Sequence, residues 1–226
     1  MNKIRLKDFS LFKTLKFNIH YFGLKNGLKL PVFVSKYIHF IYLKGNVELI
    51  HNKFRRGSVH LGFDHVGWQF NRKNSYSTFC NKGTIMFGNN IEIGMGSSIA
   101  VLNDSTLLIN DESFLNGKVT IVCTNNISIG KDCKISWDTT LIDNDLHSII
   151  DLNSNNLLNN SKQITINDHC WIGFDSKILK GAEIGPDIIV GCNSIISKRI
   201  PETHVIVGGV NSIIKRNITW DKKKPK

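Results

Sequence analysis

The segment Asp143-Asn144-Asp145-Leu146-His147 sets two carboxylates four and two residues before a histidine. Histidine, with an ordinary pKa of about 6.5, is the side chain suited to take a proton from an alcohol near neutral pH. In an extended chain, positions 143, 145 and 147 face one side. One carboxylate would then fix the imidazole tautomer and stabilise its cation, as in a triad; Asp145 is preferred to Asp143 for that part. The competing reading is a surface histidine beside two solvated acids, and spacing alone does not decide between them. A thiol nucleophile is disfavoured. Cys80, Cys123, Cys133, Cys170 and Cys192 make no CxxC pair and no even framework. Cys170 and Cys192 fall where a free thiol acts as a small apolar group, and no nucleophile elbow surrounds a serine. This use of cysteine points to a reducing cytosol.

The elements that must position these groups announce themselves downstream. Residues 163–198 read QITIND, HCWIGF, DSKILK, GAEIGP, DIIVGC, NSIISK, with Ile166, Ile172, Ile178, Ile184, Val190 and Ile196 at the fourth place. A beat of six fits neither a 3.6-residue helix nor an alternating strand. It predicts a coil of very short strands, each sending one aliphatic side chain to a common axis. Weaker beats occur at Phe87, Ile93 and Ile99, then at Ile109, Leu115, Ile121 and Ile127, then at Ile129, Ile135 and Leu141. The phase slips by two near residue 128. Residues 145–162 lack the beat and are rich in Asn and Ser, which favour turns, so they are read as a loop thrown out from the coil. The expected organisation is a basic extension over 1–75, a coil domain over 76–216 carrying the 145–162 loop, and a polar basic tail over 217–226. Within the extension, residues 4–22 have the spacing of a short amphipathic helix, expected to pack on the domain, with a membrane surface as the alternative. Short strands follow at PVFV, YIHFIYL, VELI and SVHLGF.

The 226 residues carry a net charge of +11, and residues 1–60 hold twelve Lys and Arg against Asp8 and Glu48. Such a lead-in suits an acidic partner: anionic lipid, a pyrophosphate-linked intermediate or an acidic glycan. No nucleic-acid recognition motif accompanies the charge. The run LPVFVSKYIHFIYL is short and broken by Lys36, and the first residues form no apolar signal core, so no spanning segment or leader is expected.

The run WIGFDSKILKGAEIGPDIIVGCNSIISKRIPETHVIVGGVNSIIKR resembles the hexapeptide-repeat acyltransferases. That resemblance implies an all-β fold, a left-handed parallel β-helix. The hand comes from the family, since crossovers are otherwise right-handed. Upstream, KISWDTTLIDNDLHSI is similar to the active-site stretch of the branch that O-acetylates capsule and lipopolysaccharide sugars, and LKLPVFV with a GNVEL-type strand fits that branch too. The resemblance covers roughly residues 25–216. It implies His147 as general base, direct transfer from acetyl-CoA in a ternary complex, a homotrimer with shared sites, and no metal. Positions matching the family's CoA path are Trp171, Gly173, Phe174, Cys192, Ser197, Lys198 and Lys215. Phe174 and Cys192 stand where relatives often carry Ser and Ala. Asn125 and Asn126, about one coil before His147, are candidates for touching the acceptor or the pantetheine arm. A cytoplasmic enzyme follows, acting on a carbohydrate acceptor, with peripheral contact to the inner membrane face or a lipid-linked glycan in view.

Other readings stay open. The same scaffold carries a metal-dependent hydratase class that needs three histidines; His60, His65 and His169 are the available ones, and none has a partner at metal spacing apart from the five-residue offset of the first two. A non-catalytic scaffold would not need an Asp-Asp-His element beside a loop. An amino sugar, serine or an antibiotic would serve as acceptor in sister branches.

Overall fold

A computed structural model describes residues 6–52, 54–64 and 75–221. Its strands form three sheets, of nine, seven and seven strands, parallel but for the final strand of the first, and up to that final strand consecutive strands go to successive sheets. The chain therefore winds as a three-sided prism. One inward ladder per sheet fills it: Ile93, Leu115, Ile135, Ile172, Val190 and Val207 on the first sheet; Ile99, Ile121, Leu141, Ile178 and Ile196 on the second; Ile109, Ile129, Ile166, Ile184 and Ile200 on the third. All are buried. Removal of these branched side chains from water drives the winding, at about 1.5–3 kcal/mol for each one fully buried.

The slipped phase has a simple origin. Lower coils use two-residue strands with one inward residue, as in Trp171–Ile172 and Ile189–Val190, and partners Ile172 and Val190 lie 18 positions apart. Upper coils also use four-residue strands with two inward residues. In Asn126–Ile129, both Ile127 and Ile129 are buried. Each such side adds an i, i+2 pair to the interior and lengthens the coil, so a strict period of six is lost.

The coil begins well before residue 76. Strands Val32–Val34, Ile38–Leu43, Asn46–Leu49 and Val59–Phe63 already belong to the three sheets. A division at 75 is thus not a division in the sheets, because alternation in these longer strands hides the six-residue beat. Above them the helix Leu11–Gly27, kinked at Gly23, lies against the open edge. Asn18 Nδ2 donates to Val32 O (2.6 Å), Val32 N donates to Asn18 Oδ1 (3.0 Å), and Val34 N donates to Thr14 Oγ1 (3.0 Å). These side chains satisfy an exposed strand edge that would otherwise recruit another strand. Phe17, fully buried, closes the prism against Phe40 and Phe79. At the other end, Val205–Gly208 turns back on Ser212–Arg216 as an antiparallel pair. No described helix is long and apolar enough to cross a membrane.

Candidate active site

The loop leaves the prism where strand Thr140–Ile142 ends and rejoins it at Ile164–Ile166, at the corner between the second and third sheets. Asp143 roots it. Its carboxylate is fully buried and accepts from Thr124 N (2.8 Å), Thr124 Oγ1 (2.9 Å) and Asn125 N (2.9 Å). This welds the loop to the corner one coil above, so Asn125 does stand beside the Asp-Asp-His element. Asn126 opens the next strand and is exposed.

Asp145 faces outward instead. It pairs with Lys180 and accepts from Asn159 Nδ2 (2.8 Å). Lys180, then Asn159, holds its carboxyl below the usual carboxylate range. The same Asn159 amide donates to His147 O (2.7 Å), and its Oδ1 accepts from Ile149 N (2.7 Å). One side chain thus fixes the Asp145 carboxylate and the backbone at and just after the histidine. Leu146 has φ 63, in the left-handed region. The chain is therefore not extended from 143 to 147, and the three side chains do not share a face. The His147 ring is exposed, and no described residue bonds it. Nothing in the sequence marked Asn159 or Lys180: the first lies among many loop asparagines, and the second meets Asp145 only because the loop closes on itself.

A groove of about 470 Å³ at this corner is lined by Asp145, Lys162, Lys180, Ser197, Lys198 and Arg199, among others. Four cations against one acid suit an anion such as a phosphate. Ser197 is engaged by Asn211, whose Oδ1 accepts from Ser197 N (2.8 Å).

Gly173, Phe174 and Cys192 of the expected donor path stand at a different corner, between the first and second sheets. Gly173 and Cys192 stack in successive coils so closely that a Cβ on Gly173 would lie 2.5 Å from Cys192 N. Asn193 N donates to Phe174 O (2.8 Å). Phe174 is half exposed and stacks on Trp137, with ring centroids 5.2 Å apart. Trp171 is outward on the first sheet and donates from Nε1 to Ser136 Oγ (3.2 Å). Lys215 is exposed on the last strand, opposite Ile206. Among the described residues no hydrogen bond, ion pair or ring contact joins the two corners.

The thiols fit structural roles where they are buried. Cys170 is fully buried. Burial, then the Asp143 charge, pushes Cys123 up to about 12, so it holds its proton at any physiological pH. Cys192 is exposed. His60 is buried and stacks on Phe33 (5.8 Å, 8°); His65 lies outside the described residues.

No family model matches the chain. It is 35% identical over 95 residues to the polysialic acid O-acetyltransferase of Escherichia coli O1:K1, a match spanning 42% of this chain and 31% of that protein. It is 28% identical over 144 residues, 60% of this chain and 74% of the other, to a protein of Escherichia coli K12 named for lipopolysaccharide biosynthesis O-acetyl transfer, WbbJ. Among solved structures, the polysialic acid O-acetyltransferase OatWY superposes with a TM-score of 0.55 over 86% of this chain and 88% of that one, at 23% identity. That superposition concerns the fold, the left-handed parallel β-helix. The chain spans about a third of the length of the first of these relatives.

Proposed function

From a chain whose homologues are polysialic acid and lipopolysaccharide O-acetyltransferases, on the β-helical scaffold of that group, we propose an enzyme that moves an acetyl group from acetyl-CoA to a hydroxyl of a bacterial surface polysaccharide or its precursor. The observation that carries the reading is the loop corner. There an imidazole stands open to solvent while its backbone and its neighbouring carboxylate are clamped by one asparagine.

In this reading His147 Nε2 or Nδ1 takes the proton of the sugar hydroxyl. The freed oxygen attacks the thioester carbonyl, and a backbone N–H or polar side chain stabilises the oxyanion. The C–S bond breaks, and the imidazolium returns its proton to the departing thiolate. No acyl-enzyme forms, in keeping with the raised Cys123 thiol and the burial of Cys170. Asp145 is the carboxylate nearer the base in role, and Asp143 acts through the loop root. Lys198, beside Lys162, Lys180 and Arg199, suits the donor phosphates. Trp171, Gly173, Phe174 and Cys192 would guide the pantetheine arm, with Lys215 at its far end and Asn125 and Asn126 toward the acceptor.

Donor residues at two corners call for a second copy, and we read the assembly as a homotrimer. The loop supports this: Leu146, Ile149, Ile150, Leu152, Leu157 and Leu158 are all exposed on it, an apolar surface of the kind a partner covers. Cytoplasmic placement, with a basic N-terminal end against lipid-linked glycan or the membrane face, completes the proposal. The test is incubation of the purified chain with labelled acetyl-CoA and cell-envelope glycans, with the label mapped by mass spectrometry. Label on a sugar oxygen supports the reading, and retention of all label on CoA or in free acetate overturns it.

A further inference from the structure

The outer face of the first sheet carries a trough that shares only Trp171 with the donor path above. Its cavity is about 460 Å³ and its lining includes Phe114, Lys134, Trp137, Trp171 and Trp220. Phe114, Lys134 and Trp171 are register partners on adjacent strands, so they form one outward column along the face. Trp137 stands on one side of that column, at the corner with the second sheet. Trp220 stands on the other. It comes from the stretch expected to be a polar tail, which instead runs back along the prism: Ile218 N donates to His204 O (3.1 Å), and Trp220 Nε1 donates to His169 O (2.9 Å).

Both walls are stiffened from behind. Trp137 lies parallel to Phe174 at 5°. Trp220 lies parallel to His169 at 9°, with centroids 4.4 Å apart. The His169 ring is itself fixed, because Nδ1–H donates to Asp187 Oδ1 (2.7 Å). Trp171 leans between them, 6.3 Å from Trp220 at 52°. Indoles this well supported lose little freedom when something settles between them.

We propose that this trough is the acceptor's glycan-binding site, with Trp137 and Trp220 gripping the C–H faces of a pyranose and Lys134, Asn116 and Asp221 at its polar edge. A sugar ring is apolar on its faces and hydroxylated round its rim, and the trough repeats that division: aromatic planes inside, charged and amide groups beside them. A lipid tail would suit only the aromatic planes and not the polar edge. The inference rests on the proposed acetyl transfer, since Trp171 would border both the trough and the thioester end of the donor path.

The experiment uses the full chain, an α2,8-linked oligosialic acid and a neutral chitin tetrasaccharide as probes, and three variants: Trp220→Leu, Trp220→Phe and Trp137→Leu. Binding is read by calorimetry, and acetyl transfer by acceptor and donor KM. At least one probe should bind the unaltered chain. Each leucine variant should weaken it roughly tenfold, the scale of one lost aromatic stacking contact, and Trp220→Leu, which lies away from the Trp137–Phe174 stack, should do so with donor KM unchanged. Trp220→Phe should recover most of the loss. If neither probe binds, or if the leucine variants bind and turn over the acceptor as the unaltered chain does, the site is refuted. If glycan binding follows the tryptophans while no acetyl group moves, the trough stands and the transferase reading falls.

Discussion

Asp143→Asn separates a structural carboxylate from one that orients the base. The native side chain is fully buried and satisfies three donors, two at Oδ1 and one at Oδ2. An asparagine can place its carbonyl at only one of these ends. Turned to keep both Thr124 bonds, it sets its own NH₂ against the Asn125 N–H. The change deletes a charge-assisted bond and strands a buried donor, which together cost about 2–4 kcal/mol. For a chain of this size each kcal/mol moves the midpoint by about 2–4 °C, so thermal melting followed by circular dichroism should show a fall of about 5–15 °C. The pH dependence of turnover by the surviving folded enzyme should keep its shape. If the melting temperature holds within about 2 °C, as for a surface change, while the pH profile of turnover shifts, Asp143 serves the imidazole and the welding argument is wrong.

His147→Ala removes a ring that no described residue bonds. It should leave the melting temperature unchanged and lower turnover by at least ~100-fold, the usual scale for a general base; near-normal turnover would unseat the assignment. Ile184→Asp puts a carboxylate on a ladder position with no exposure, where a charge finds no partner, and should abolish soluble folded protein; an unchanged melting curve would contradict the inward ladder. The Asp145 carboxyl is held below its unfolded value by Lys180 and Asn159. Its support of the loop is therefore present above the ordinary carboxylate pKa and lost as pH falls through the lowered folded one. Amide protection in residues 145–162, measured relative to unstructured peptide at each pH, should fall below about pH 4, and Lys180→Met should bring that low protection to neutral pH; equal protection at pH 3 and 7 would exclude the anchor.

Legibility in the sequence follows how many inward residues each side of the prism holds. Where a side buries one, as at Ile172, Ile178 and Ile184, the beat of six is plain. Where it buries two, as at Ile127 and Ile129, ordinary strand alternation replaces it, and the part of the coil that precedes residue 76 reads as an extension. The loop was legible from what it lacked, an aliphatic beat. The true placement of Asp143, Asp145 and His147 was not, because the expected common face holds only in extended chain and Leu146 at φ 63 turns the backbone. Trp220 escaped for another reason. A lone aromatic among lysines has no periodicity, and its place depends on a tail whose path back to His169 is fixed by contacts 51 residues apart.

The prism also explains why the residues of the proposed donor path stand at two corners. A three-sided coil sends each short strand outward on one face, and two corners of one coil are separated by a whole face, here the second sheet. A donor reaching both Phe174 and Lys198 on one copy would have to cross that face, whose described outward residues include Thr120, Thr140 and Lys177. A three-fold assembly removes the crossing, since rotation about an axis parallel to the prism brings the first corner of one copy against the second corner of the next. Such an arrangement closes on itself, and it would cover the loop's aliphatics while leaving the aromatic trough beside the junction. In that geometry the exposed His147 ring would lack a partner in the single chain because its working surroundings belong to the neighbour. Mixing His147→Ala chains with chains altered only at Phe174 should then restore part of the activity that each loses alone.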